Sequence, residues 1–507
     1  MTRVVSVFLP SWSIDRFRRA AGDAAPSPEV PLVLIARDGS RRLVQAASAT
    51  AFAAGLRVGM PATKAQALVP GLAVEEADLA ADAQELERLA IWLYQRAAPV
   101  VAPDPPSGIV IDASGADHLH RGETAMLDQI VGRLAMSGVE ARAAVADTWG
   151  TAHALARYVA RSTVVAPAGH GALPIVHLPL ECLRIPVRIA ADLRVLGFET
   201  AGDLISQPRS PLTLRFGPDI ARRLAQALGE VAEPIIAIRP PDLIEVRRAF
   251  AEPIGAPETI ARYIGKLVAE LCERLEERAL GGRRLDLICH RLDGGLQTVR
   301  IGLARPVCDV RRLTRLLCEK IETLAPGSGI EIMTLAAILA EPLERKQIAS
   351  SLVEEFDPDV SGLIDILANR VGDKAVYRLV PVASDVPERS VRRVAALAEE
   401  TGAVWPTHWP RPARLLSRPE PVETLALLPD HPPAWFSWRG IRRRVRRADG
   451  PERVFGEWWK RDAEMAAVRD YFQVEDDAGE RYWLYRAGDG EDTATGSHRW
   501  FLHGVFG

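Results

Sequence analysis

Long apolar runs, CxxC pairs and an excess of either charge are all missing from this 507-residue chain. The longest apolar stretch near its start, Val4 to Pro10, is too short to span a bilayer, and Asp15, Arg16, Arg18 and Arg19 follow it. Neither a membrane span nor a signal-peptide core tolerates that flank. The 5 cysteines (Cys182, Cys272, Cys289, Cys308 and Cys318) are an odd number and suit no disulfide framework, so a reduced cytoplasm is expected. With 63 basic and 66 acidic residues the net charge is only -3. That excludes a strongly basic nucleic-acid coat but not a basic face within one domain. A Gly-x-x-x-x-Gly-Lys loop is absent, so the chain is no P-loop ATPase, and no Ser-His-Asp constellation stands out. What remains is ordinary globular composition, 48% apolar and 25% charged. The length implies about two to four domains.

Val4, Val5, Val7 and Phe8 form a short apolar strand stopped by Pro10, and Leu32 to Ile35 and Leu43 to Ala46 read as strands around Asp38-Gly39. Ala47 to Pro61 is a small-residue helix closed by Gly55, and Ala62 to Leu68 is a second short helix. Ala77 to Ala98 is amphipathic along Leu86, Leu89, Leu93 and Ala97. Ile109 to Ile111 has buried-strand character, and Met126 to Met136 is helical. Strands and helices segregate as in an α+β domain. From Leu178 to Glu230, short helices are joined by Gly turns, Leu196-Gly197-Phe198-Glu199-Thr200 and Arg215-Phe216-Gly217-Pro218. These read equally as helix-hairpin-helix units, whose glycines let backbone N–H groups approach a DNA phosphate, or as plain helix caps.

After a Pro-marked linker, Pro234 to Pro241, the pattern is clear. Strand Ile244–Phe250 precedes a helix from Glu258 to Leu280 with Ile260, Ile264, Leu267, Leu271 and Leu275 on one stripe. A hairpin (Arg284–Leu292, Leu296–Leu303) turns at Asp293-Gly294-Gly295. A helix capped by Asp309 and strand Ile330–Leu339 close a β-α-β-β-α-β, ferredoxin-like order. Gly362 to Val371 reads as a helix, and Val404 to Pro433 is Pro-rich. The last stretch holds Trp435, Trp438, Trp458, Trp459, Trp483 and Trp500, with a hairpin across Asp477-Ala478-Gly479.

Gly55-Leu-Arg-Val-Gly-Met-Pro61 and Ala67-Leu-Val-Pro-Gly71 resemble the fingers of Y-family translesion DNA polymerases. The helix-hairpin-helix region is similar to their thumb, and the β-α-β-β-α-β unit to their little finger, over roughly Val4 to Pro342. The resemblance implies a right-hand fold plus a small C-terminal β domain. It divides into a palm at 1–170 with fingers at about 17–75, a thumb at 171–232, and a linker at 233–244. A little finger follows at 245–342, then a connecting region at 343–433 and the β domain at 434–507. Such polymerases hold two metal ions about 3.5–4 Å apart on paired carboxylates. The matching positions here are Phe8 and Pro10 on the first strand, and Ser107 and Gly108 before Asp112-Ala-Ser-Gly115. The triphosphate-contacting Tyr and Arg fall on Ala49 and Phe52. Magnesium takes hard oxygen ligands that none of the four metal positions offers as a carboxylate. No metal, cofactor or catalytic residue is therefore expected.

This pattern, with a tail containing Trp458-Trp459, Arg469-Asp-Tyr-Phe472 and Trp500-Phe-Leu-His-Gly504, resembles the catalytically silent Y-family members of bacterial mutagenesis cassettes. The resemblance implies a DNA-binding scaffold for damage-induced error-prone synthesis. It would join an ImuA-type RecA-like protein, the error-prone C-family polymerase ImuC and the sliding clamp. An active polymerase with displaced ligands and a protein-only hub are the alternatives. Sequence-independent DNA contact is assigned to Gly197, Gly217, Arg215, Arg284, Arg291 and Arg300, and partner contact to Gln347, Leu352, Trp458 and Trp459. The clamp motif is reduced to Gln347-Ile-Ala-Ser-Ser-Leu352. Trp483 reads as core, whereas Trp458 and Trp459, as neighbours, cannot both face inward. Three further clusters stay open: Asp117-His118-Leu119-His120 as a metal pair or an exposed turn, Asp15 with Asp112 as a rescued metal site, and Arg442, Arg444 and Arg446. The arginines would share one strand face and suit phosphates, an acidic partner or a solvated edge.

Overall fold

In the computed structural model, which describes residues 2–343, 359–398, 402, 404, 411–427, 430–457, 459–460 and 467–506, β1 (Val4–Phe8) is followed by α1 (Trp12–Ala21). A small sheet comes next: β2 (Leu32–Asp38), β3 (Arg41–Ala47), then α2 (Ala49–Ala53), α3 (Ala62–Leu68) and β4 (Ala73–Glu76). Its strand order is β3-β2-β4. The small residues close the space: Ala47, Ala51, Ala62 and Ala65 pack on Val33, Ile35 and Val44. Ser48 accepts from the Ala51 N–H at 3.2 Å and so caps α2.

The chain returns through α4 (Leu79–Tyr94), β5 (Val100–Asp104), β6 (Gly108–Asp112), α5 (Glu123–Met136), β7 (Arg142–Ala146), α6 (Trp149–Tyr158) and β8 (Thr163–Val165). Five strands pair in the order β5-β6-β1-β7-β8. Val5, Val7 and Leu9 pack under α4 and α5 in one core, while Phe8 and Ala144 turn to the other face and to α6. That second core also takes in α7 (Val187–Val195), α8 (Ala201–Ile205), α9 (Arg209–Phe216) and α10 (Pro218–Leu228). These four helices form two hairpins. Gly197 (φ 89°) and Gly217 (φ 88°) sit at their turns in the left-handed region that a glycine adopts freely.

β9 (Ile244–Ile254), α11 (Pro257–Glu277), β10 (Leu280–Arg291), β11 (Leu296–Val307), α12 (Val310–Cys318) and β12 (Ile330–Pro342) complete the β-α-β-β-α-β order. The last strand lies inside the sheet, which runs β11-β10-β12-β9. All five residues of the α11 stripe are buried, each contributing about 1.5–3 kcal/mol of transfer free energy. The opposite face of this sheet closes on the five-stranded domain, whose core takes in Ala336 and Ile338. At that seam Gly115 (φ 69°) is indispensable, since a Cβ there would stand 2.4 Å from the Leu296 carbonyl oxygen.

The chain divides into two units at Asp365/Ile366. In the second unit β13 (Tyr377–Pro381) pairs with β14 (Val391–Ala395). β15 (Arg414–Ala426), β16 (Pro433–Trp438), β17 (Ile441–Phe455), β18 (Val468–Asp476), β19 (Arg481–Ala487) and β20 (Trp500–Val505) close a barrel. Phe436, Phe472, Val474, Tyr482, Leu484, Trp500 and Leu502 fill it. Trp483 is buried and stacks on Tyr471 at 4.1 Å. No helix among the described residues is long and apolar enough to cross a membrane.

Candidate functional site

β1 and β6 bring the four marked positions together. Phe8 lies opposite Gly108 in antiparallel register, and the Leu9 N–H donates to the Ser107 carbonyl at 2.9 Å. A pair of side chains projecting from these positions would converge. Here one is an aromatic ring and the other is absent, and the space is filled from α6. The Arg157 guanidinium lies 4.7 Å from the Phe8 ring centroid, a cation–π contact. Its Nη2 reaches the Asp104 carboxylate at 3.3 Å. A Cβ built on Gly108 would meet Arg157 Nη2 at 2.8 Å and the Asp104 carbonyl at 3.1 Å. A side chain at 108 and Arg157 in this position are therefore mutually exclusive.

More cations surround this pair. Arg184 and Arg223 hold the two oxygens of Glu233 at 2.6 and 2.8 Å. Arg184 also lies over the Trp149 ring at 5.2 Å. Burial, reinforced by Arg157, Arg184 and Arg223, pushes the His153 imidazole down to about 2, so this ring stays neutral. Burial also raises Asp104 and lowers Arg157, against their mutual attraction. Three guanidinium groups face two carboxylates. A divalent cation, which needs several hard oxygen ligands and local negative charge, does not fit these residues. The hairpin helices are fastened over the cluster as well: the Thr148 and Thr151 hydroxyls both donate to the Ala227 carbonyl, at 3.0 and 3.3 Å.

Asp112 and Asp15 do not form a substitute site. Asp112 lies at the Val4 end of β1, where its carboxylate accepts from the Ser114 N–H at 2.9 Å. Asp15 accepts from the Glu140 N–H at 2.9 Å, near the Phe8 end. Burial raises its carboxyl to about 6. In the fingers-like segment Phe52 is half exposed, and the Arg57 guanidinium donates to its carbonyl at 2.8 Å. The His120 ring is placed between Ala97 O and the Gln129 side chain, at 2.9 and 3.3 Å. The described residues contain no group of three or more metal-ligating side chains.

The two hairpins expected to meet DNA differ. At the first, the Asp203 carboxylate accepts from the N–H groups of Glu199 and Thr200 at 3.0 and 2.8 Å. These N–H groups are thus already satisfied by the helix's own capping residue. At the second, no side chain caps α10, the space over Gly217 is open, and Arg215 is exposed with its guanidinium over Phe216. The cations of the four-stranded sheet that were expected to meet DNA are largely engaged within the protein. Arg300 grips Asp286 through two hydrogen bonds of 2.7 and 2.6 Å, with Asp286 fully buried. Arg284 donates to the Gln95 carbonyl at 2.9 Å. Both guanidiniums thus sit at the C-terminal end of α4, where the helix dipole favours positive charge. Arg291 pairs with Asp293 and donates to the Ala325 carbonyl. For Arg284 and Arg300 the sequence could not show this, because the carbonyl at the end of α4 that they meet lies 189 and 205 residues away along the chain. Arg247 and Arg248 on β9, which were not among the expected contacts, are exposed and have no carboxylate partner among the described residues. Of the expected partner contacts, Gln347, Leu352 and Trp458 lie outside the described residues, and Trp459 is 64% exposed.

Known families match in this arrangement. Residues 24–157 match the impB/mucB/samB family, residues 243–351 its C-terminal domain, and residues 418–506 a domain of unknown function (DUF6504). Protein ImuB of Caulobacter vibrioides, from strains NA1000 / CB15N and ATCC 19089, is 43% identical over 463 residues, spanning 89% of this chain and 100% of the relative. Two solved structures, an insertion ternary complex of Dbh DNA polymerase and DinB from Sulfolobus solfataricus, are 14% identical with a TM-score of 0.39. Each match covers 66% of this chain and 98% of the other.

Proposed function

The chain belongs to the ImuB family of Y-family polymerase-like proteins, and from that premise we propose that it is a non-catalytic DNA-binding scaffold in error-prone translesion synthesis after DNA damage. The observation that carries this reading is the strand pair Phe8–Gly108, with Arg157 in the place of the metal-binding carboxylates. Nucleotidyl transfer by a two-metal route needs paired acidic ligands. Phe8 and Gly108 supply none and Arg157 sets a cation beside them, so no reaction step is assigned to this pair.

In the finer reading, the body holds primer–template DNA by its backbone, through Arg215 and the open α10 terminus at the second hairpin. Such contacts carry no sequence information, as suits a protein that must act wherever damage stalls synthesis. The second unit docks the ImuC-type polymerase and the ImuA-type RecA-like protein. Exposed Trp459 is its candidate anchor, since tryptophan is over-represented among residues that dominate interfaces. The sliding clamp would bind in the stretch from Gln347 to Leu352.

Primer extension on a lesion-containing template, with Mg²⁺ or Mn²⁺, tests the reading. The expected result is DNA binding without extension. Template-dependent extension that disappears in Asp104→Asn or Asp112→Ala would overturn it and establish displaced ligands. The partner assignment is tested separately, by capture of the two cassette proteins with Trp459→Ala, which is expected to weaken retention of at least one.

A further inference from the structure

β17 carries a row of arginines that nothing in the preceding assignment uses. Arg442, Arg444, Arg446 and Arg447 are all exposed. Among the described residues none of the four forms an ion pair. Their neighbours in the same barrel do: Arg439 with Glu420, Arg443 with Asp476 and Glu480, Arg453 and Arg486 with Asp470. The difference follows from strand geometry. Arg443 and Val445 turn toward the barrel interior, while Arg442 and Arg444 turn outward. A register shift between Val445 and Arg447 then places an extra residue opposite β18, and both Arg446 and Arg447 are left facing solvent. Bulges re-aim side chains in this way.

β17 is hydrogen-bonded to β16 over Ile441–Arg444 and to β18 from Val445 onward, so each arginine of the row has one open strand side, where charge discourages further strand pairing. That role requires no aromatic side chain, and one is present. Beside the row lies an aromatic step. Trp435 pairs in register with Arg444, and the Arg442 guanidinium stacks on its ring at 3.9 Å. Exposed Leu425 lies on its other side, across β15. Successive outward residues on a strand are about 6.6 Å apart, of the order of the phosphate step along a stretched nucleic-acid strand. One row of cations with an aromatic beside it matches one backbone with unpaired bases, whereas a duplex presents two backbones and buries its bases.

We propose that the outer face of the barrel, built on Arg442, Arg444, Arg446, Arg447 and Trp435, is a binding site for single-stranded DNA. The arginines take phosphates and Trp435 takes a base. Such a site would hold the unpaired template ahead of a stalled primer end, and it stands whether or not the body of the molecule grips primer–template DNA.

Fluorescence anisotropy of the full-length protein with a labelled oligothymidine, titrated with salt, tests the site. Replacing Arg442, Arg444 and Arg446 with Gln should weaken binding on the order of tenfold at low salt. It should also reduce the slope of log K against log salt by about 2, since each neutralised phosphate of a single strand contributes about 0.7. The triple Lys replacement should keep the slope, and Trp435→Ala should weaken binding with the slope unchanged. An unaltered affinity and slope in the Gln variant would overturn the proposal. So would unaltered binding combined with failed capture of an acidic protein partner, which would make the face a protein-docking surface. Photocrosslinking of the unmodified protein to an iododeoxyuridine-containing strand needs no substitution. Adducts on the Trp435 peptide are expected, and adducts confined to residues 1–365 would refute the site.

Discussion

Arg284 and Arg300 in the four-stranded sheet, and Arg442 and Arg444 in the barrel, look alike in the sequence: each is an arginine on a strand, next to an apolar residue. In the fold they part. The first pair is drawn into a seam, on the carbonyls at the end of α4 and on buried Asp286. The second pair stays outside with no carboxylate partner among the described residues, one of them stacked on Trp435. Arg157 belongs with the consumed set, held between Asp104 and Phe8. Strand position thus reports which side a cation occupies, but not what covers that side. An arginine is a candidate for nucleic acid only once the fold has left it unspent.

The contrast can be broken by stability measurements. Arg300→Ala leaves Asp286 charged and fully buried, and should cost about 3–5 kcal/mol in denaturant unfolding. Arg444→Ala should cost less than about 0.5 kcal/mol. Comparable destabilisation by the two would remove the distinction.

A second test uses pH. The folded-state pKa of His153 is depressed to about 2, far below the ordinary 6.5, so the unfolded chain takes up this proton first. The stability that a neutral His153 confers is complete above about pH 6.5 and is lost progressively as pH falls toward 2. Between pH 6.5 and 5 the loss is about 2 kcal/mol, at about 1.36 kcal/mol for each pH unit. His503 in the barrel, pushed down to about 4, acts with the same sign. Unfolding at pH 6.5 and 5 should therefore show a shallower loss in His153→Gln than in the unmodified protein. An identical pH dependence would mean that the ring is not held neutral beside the consumed arginines.

The smallest expected effect concerns Arg215, the exposed cation of the second hairpin. Arg215→Ala should lower the salt slope of duplex binding by about 0.9, the share of one phosphate. Asp203→Ala at the first hairpin should raise duplex affinity by a factor of about two to three, since it frees two N–H groups and removes a like charge.

Much of the architecture was legible. α3, the apolar stripe of α11 and the glycine turns at 197 and 217 follow from local rules of period and capping, which act within a few residues. β7, Arg-Ala-Ala-Val-Ala, escaped notice because alanine favours helices. It is a strand only because β1 and β8 flank it and helices cover it. Closure of the barrel was equally hidden, since β15 meets β20 across most of the second unit and carries Pro419 and Pro421. At the strand pair, the absence of carboxylates at Phe8, Pro10, Ser107 and Gly108 could be read directly. Arg157 could not, because its approach depends on how α6 packs. The signal available was Gly108 itself, which poses the question of what fills the space.

Titration of Mn²⁺ into the intact protein with primer–template DNA and a nucleoside triphosphate, followed by electron paramagnetic resonance, shows whether the Phe8–Gly108 strand pair can hold metal. With Arg157 where acidic ligands would stand, the protein should retain no Mn²⁺ beyond what the DNA and nucleotide hold alone. Two Mn²⁺ ions bound per protein, and released in Asp104→Asn, would contradict it.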